Sequence, residues 1–214
     1  MKAASSKEKI LKKIREALSN PVPLPFPKSE GTDSVFQPRK GELEILFAEE
    51  FTKLLGKFAF CLSEKDMKFQ LGQLIAAKKW KNIYCIEKPL LKIIDDGKDF
   101  NLNKTTLAAC DASITSCQFL VARTGAIVMT SAQESGRTVS AYAPVHICIA
   151  YVSQLVYDTR DVLKSIKAAG NSNIPSFITF AAGPSRTADI EKTLVVGVHG
   201  PKEVYLFLID EASK

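Results

Sequence analysis

Pro144 is followed by Val145-His-Ile-Cys-Ile-Ala-Tyr-Val152, an apolar run in which only His146 is strongly polar. Strict polar–apolar alternation would mark a strand with one wet face. A near-continuous run marks a strand covered on both faces. Val204-Tyr-Leu-Phe-Leu-Ile209 has the same character, and residues 57–62, 82–87 and 176–181 read as further strands. Helices are predicted between them, over 42–56, 64–80 with Ser63 as N-cap, 88–96, 160–169 ending at Gly170, and 187–197. Strands alternating with helices predict an α/β fold of three layers, α/β/α, with a mostly parallel sheet. Strands at 118–122, 126–131, 138–142 and 145–152 are expected to form a local antiparallel excursion. Ligands of open α/β sheets dock at the carboxyl ends of strands, which draws attention to the loops 131–137 and 182–187.

Residues 5–19 read as an amphipathic helix, with Ile10, Leu11, Ile14, Ala17 and Leu18 on one side. Pro21, Pro23, Pro25 and Pro27 follow as a stiff polyproline-like tether. Two regions are therefore expected: an N-terminal helical extension with its linker over 1–41, and an α/β domain over 42–214. The helix needs a surface for its apolar stripe, either its own domain or a second subunit of a homo-oligomer built through it. The net charge of the 214-residue chain is +6. Lys2, Lys7, Lys9, Lys12, Lys13 and Arg15 against Glu8 and Glu16 put +4 of this in the first 20 residues. That excess lies on one helix without interleaved aromatics, which argues against nucleic acid as partner. Met1 to Ser19 lacks the apolar core of a secretion signal, and the longest apolar run is too short to span a bilayer. A soluble cytoplasmic protein is expected.

Cys61, Cys85, Cys110, Cys117 and Cys148 include no C-x-x-C pair, and most lie in apolar runs, as free thiols of a reducing compartment do. His146 and His199 are far apart in sequence and have no spaced third ligand, so no metal is expected. The chain has no G-x-G-x-x-G after a strand, no G-x-x-x-x-G-K-[ST] and no G-x-S-x-G. Dinucleotide, P-loop and serine-hydrolase chemistry therefore lack their signatures, and no cofactor is expected.

The candidate site residues lie in three stretches. Gly183-Pro-Ser185-Arg186-Thr187 reads either as a well-made strand-to-helix turn capped by Thr187, or as an anion site. In the second case helix N–H groups, the Ser185 and Thr187 hydroxyls and Arg186 converge on a carboxylate or phosphate. Thr124-Gly125 sits in strand-like sequence, where a glycine signals a bulge or a close backbone approach. It leads to Ser131-Ala-Gln-Glu134-Ser-Gly-Arg137, whose Glu134 and Arg137 are placed to face a ligand. His146 and His199 are acid–base candidates because imidazole titrates near neutrality, while His199 also suits a helix C-terminus. The expected picture is one rim, where the 183–187 turn meets the loop carrying Glu134 and Arg137.

Four blocks carry a family resemblance: Ile114-Thr-Ser-Cys-Gln-Phe-Leu-Val-Ala-Arg-Thr-Gly125; Gly136-Arg137 with Pro144-Val-His-Ile147; Gly183-Pro-Ser-Arg-Thr-Ala-Asp-Ile-Glu191; and Gly197-Val-His-Gly-Pro201 with the terminal strand. With the basic helix and prolines at the start, the chain resembles the lactate-utilisation protein C (LUD-domain) family. The resemblance implies a fold like that of the NagB/RpiA/CoA-transferase group. It implies an accessory, non-redox component of a cytoplasmic system oxidising L-lactate to pyruvate, with iron–sulfur proteins as partners and a small carboxylate as possible ligand. The fold likeness also admits an acyl- or CoA-transferase-like or ligase-like enzyme with Glu134 as nucleophile.

Overall fold

A computed structural model of the chain describes residues 6–19, 38–39, 41–94, 102–103, 106–169, 174–190 and 193–210. The apolar run at 145 forms β6 (Val145–Tyr151), the middle strand of a five-stranded sheet. Across the sheet come β1 (Lys57–Cys61), β11 (Glu203–Ile209), β6, β3 (Ala112–Thr115) and β2 (Ile83–Tyr84), every pairing parallel. Period-two alternation sends Val145, Ile147 and Ile149 to one face, where they meet Met67 and Leu71 of α3 (Glu64–Lys78) and Leu90 and Ile94 of α4 (Lys88–Ile94). Cys148 and Ala150 go to the other face, together with Leu206 and Leu208 of β11.

That second face is covered by Phe47 and Phe51 of α2 (Leu43–Lys53), whose rings stack 5.4 Å apart, and by a smaller mixed sheet. The smaller sheet runs in the order β7 (Leu155–Val156), β4 (Phe119–Val121), β5 (Ala126–Thr130), β8 (Ile178–Ala181). Its outer side, Val121, Ala126 and Val128, packs on Val162 and Ile166 of α6 (Thr159–Ala168). The result is a mixed α/β fold whose central sheet is parallel and buried on both sides, as the uninterrupted apolar strands require.

The helix ends follow their local chemistry. Ser63 caps α3 by accepting from the Asp66 N–H at 3.2 Å. Asp158 caps α6 by accepting from the Arg160 N–H at 2.9 Å, and also takes the Arg123 Nε–H at 2.6 Å. At the amino ends of β1 and β11, Glu203 of β11 accepts from Lys57 of β1, from Lys78 of α3 and from the Tyr205 hydroxyl. Burial alone would raise its carboxyl. The hydrogen bonds from Lys57, Tyr205 and Lys78 outweigh that and hold it at about 2.

Three sequence expectations are corrected. Residues 138–142 form not a strand but a short helix, α5 (Val139–Tyr142), pinned where the Ser113 hydroxyl donates to the Val139 carbonyl at 2.8 Å. The helix expected over 187–197 is a hairpin of β9 (Arg186–Ile190) and β10 (Thr193–Val196), because Thr187, Ile190, Thr193, Val195 and Val196 are β-branched and pair across it. The antiparallel excursion is confined to β4 and β5 with β8, while β6 belongs to the parallel sheet beside β3, a strand the sequence reading had left unassigned. Gly170, the expected end of the helix now seen as α6, lies outside the described residues.

The chain divides into two units, Met1–Arg39 and Lys40–Lys214. In the first, α1 (Ser6–Ser19) is helical as its pattern predicts, with Ile10, Leu11, Ile14 and Leu18 exposed. Among the described residues no helix is long and apolar enough to cross a membrane.

Candidate functional site

The segment after β8 closes a cavity of about 260 Å³ against the loop that follows β5. Arg137, His146, Gly183, Ser185 and His199 all line it, with Met129 and Thr179 among the walls. His146 is the second residue of β6, and Val204, also a lining residue, is the second of β11. The cavity therefore opens near the amino ends of these strands, not at the carboxyl ends that parallel sheets usually offer.

Backbone geometry holds the lining residues. Ser185 N–H donates to the Pro201 carbonyl at 3.0 Å, and its own carbonyl accepts from Gly197 N–H at 2.9 Å. This ties the start of β9 to the turn bearing His199. Gly183 has φ +83, and a Cβ there would sit 2.3 Å from the Leu54 carbonyl oxygen, so only glycine fits. Arg137 donates through a terminal nitrogen to Ser176 Oγ at 2.6 Å, holding an exposed guanidinium at the cavity mouth. His146 is almost fully buried, its Nε2 2.8 Å from Thr115 Oγ1. Burial disfavours the imidazolium and pushes its pKa down to about 4, so the ring is neutral at physiological pH.

Other candidates lie elsewhere. With β9 extended there is no helix N-terminus at 187, so the expected convergence of helix N–H groups with Arg186 and Thr187 does not form. Arg186 pairs with Val196 and Thr187 with Val195 in the hairpin, and neither lines the cavity. His199 follows β10 and not a helix, so it neutralises no helix C-terminus. Thr124 and Gly125 form the turn on which α2 rests: Gly125 has φ +59, and a Cβ there would lie 2.5 Å from the Phe51 nitrogen. Glu134 is exposed, and its Oε2 accepts from the Lys88 N–H at 2.6 Å, anchoring its loop to the start of α4.

Sequence reasoning missed Glu87, Ser116 and Thr115. Glu87 follows β2, is buried, and its Oε2 accepts from Ser116 N–H at 3.1 Å and from the Ser116 hydroxyl at 2.5 Å. Gln133 donates to the Ser116 carbonyl and hydroxyl, both at 3.1 Å, which brings the 131–137 loop over the carboxyl ends of β2 and β3. Nothing local in Cys85-Ile-Glu-Lys-Pro89 marks a buried carboxylate; its partner, Ser116, comes from just after β3. Among the described residues no group of three or more His, Cys, Asp or Glu is placed to hold a metal ion.

A buried parallel sheet backed by a mixed sheet, with a small cavity between them whose walls include an arginine and a neutral histidine, defines an α/β protein. Residues 4–209 match the LUD domain, and the chain belongs to that family. Lactate utilization protein C of Halalkalibacterium halodurans is 38% identical over 103 residues, 47% of this chain and 45% of that protein. Lactate utilization protein C of Bacillus subtilis is 35% identical over 120 residues, 54% and 48% of the two chains. The chain thus spans about half the length of these curated relatives. The crystal structure of a DUF162 family protein from Deinococcus radiodurans shares the fold, with a TM-score of 0.57 at 16% identity, covering 78% of this chain and 96% of that one.

Proposed function

We propose that this chain is an accessory, non-redox component of a cytoplasmic L-lactate oxidation system, and that its cavity holds a small carboxylate. The observation that carries the ligand reading is the cavity itself, where Arg137 and Ser185 share walls with a neutral histidine. A guanidinium provides paired N–H donors for a carboxylate, and a hydroxyl completes its shell. The lactate reading draws on the relatives called Lactate utilization protein C. The non-redox reading draws on the thiols. Burial pushes Cys61 and Cys85 up to about 12 and raises Cys110 and Cys148, which keeps these sulfurs protonated and poor as nucleophiles. Electron transfer then falls to iron–sulfur protein partners.

Calorimetric titration with L-lactate and with pyruvate tests the ligand part. Binding is expected, weakened about tenfold or more in Arg137→Ala. Absence of heat with either acid sinks it. Co-purification with iron–sulfur proteins of the source cell tests the partner part, and no association at micromolar concentration overturns it.

A further inference from the structure

We infer that His146 is a specificity-determining residue of the cavity, its Nδ1 accepting a hydrogen bond from a hydroxyl on the carbon next to the ligand's carboxylate. The inference rests on the carboxylate reading above and adds which carboxylates are preferred.

Two observations direct Nδ1 into the cavity. His146 is a wall of the cavity, and its Nε2 is engaged by Thr115 Oγ1 at 2.8 Å. Among the described residues, the buried side-chain nitrogen and oxygen atoms without a partner are Glu87 Oε1, Gln118 Oε1 and Thr124 Oγ1. Among the described residues Nδ1 of His146 makes no hydrogen bond, and the ring that carries it lines the cavity.

The hydrogen-bond inventory assigns its role. Thr115 has a single hydroxyl hydrogen and two neighbours for it: His146 Nε2, and Met129 Sδ at 3.9 Å. If the hydroxyl donates to Nε2, one internal hydrogen bond forms. If Nε2–H donates to Oγ1, the hydroxyl hydrogen is released to the methionine sulfur, a weak acceptor, and two contacts form. The second arrangement satisfies more groups and leaves Nδ1 bare, an acceptor. Because the ring is neutral, it neither repels a donor nor attracts a second carboxylate. Arg137 supplies positive charge to the same cavity, which favours a hydroxyl over an ammonium as the donor. A 2-oxo acid presents only acceptors there and leaves Nδ1 facing another lone pair.

The full chain, titrated calorimetrically near neutral pH with propionate, pyruvate and L-lactate, tests this. L-Lactate is expected to bind about tenfold more tightly than either of the others, the size of one well-made hydrogen bond. In His146→Phe the advantage of L-lactate over propionate should vanish. Equal affinities across the wild-type series overturn the inference and leave the carboxylate reading standing; failure of all three acids to bind removes both. Nitrogen chemical shifts of ¹⁵N-labelled histidine check the tautomer without a substitution: a protonated Nδ1 on His146 overturns the inference, and a protonated Nε2 supports it.

Discussion

At neutral pH His146 is a buried neutral ring, and on acidification it becomes a weak point of the core. Its unfolded pKa is near 6.5 and its folded value about 4, lowered by burial. Between those values the unfolded chain binds the extra proton, so stability falls as pH drops and the loss is complete below about 4. The difference corresponds to about 3 kcal/mol. Urea unfolding across this window should show that decline in the wild type and a nearly flat profile in His146→Gln; parallel profiles would show that the ring is not desolvated. The sequence announced His146 as a residue of interest, since a lone imidazole in an apolar strand invites the question. It could not announce Thr115, whose hydroxyl reaches the ring only because β3 and β6 lie side by side. Glu87 is a clearer case of the same limit: in sequence it opens a solvated helix, and Ser116 turns it into a buried, half-satisfied carboxylate.

At the scale of elements, α6 is fastened to the mixed sheet through its cap. Asp158 is held below the usual carboxylate range, first by the Arg160 N–H and then by Arg123. Replacing Asp158 by Ala should cost about 2 kcal/mol, and Asp158→Asn should recover the capping part only. A double-mutant cycle with Arg123→Ala should give a coupling of about 1 kcal/mol, modest because the guanidinium is partly exposed. No coupling would mean that the cap alone holds the helix. Element types were legible where burial is continuous: β6 and β11 followed from their apolar runs, and α3 from its cap. They were illegible at β9 and β10, where Thr187, Asp189 and Glu191 satisfy the rules for a helix start as well as β-branching satisfies those for a strand. Pairing between the two arms decides for the hairpin, and that is a contact no local pattern contains.

At the scale of the whole chain, the sequence division at residues 1–41 and 42–214 leads to a third test. No residue of α1 is buried. A chain truncated to 42–214 removes that helix. If α1 joins two copies through Ile10, Leu11, Ile14 and Leu18, sedimentation should show a dimer for the full chain and a monomer for the truncated one; identical masses would remove that role.

The amino-acid sequence by itself determined the class of fold, because burying a strand on both faces demands uninterrupted apolar residues and leaves a mark that any reader can see. It also determined the Ser63 cap of α3, an interaction between near neighbours. Only the tertiary structure decided that Arg137, His146, Ser185 and His199 share one cavity, that Arg186 and Thr187 do not join them, and that the cavity opens at the amino ends of its strands. Those outcomes depend on strand order and on a hairpin's cross-strand pairing, and neither is written into the residues that they bring together.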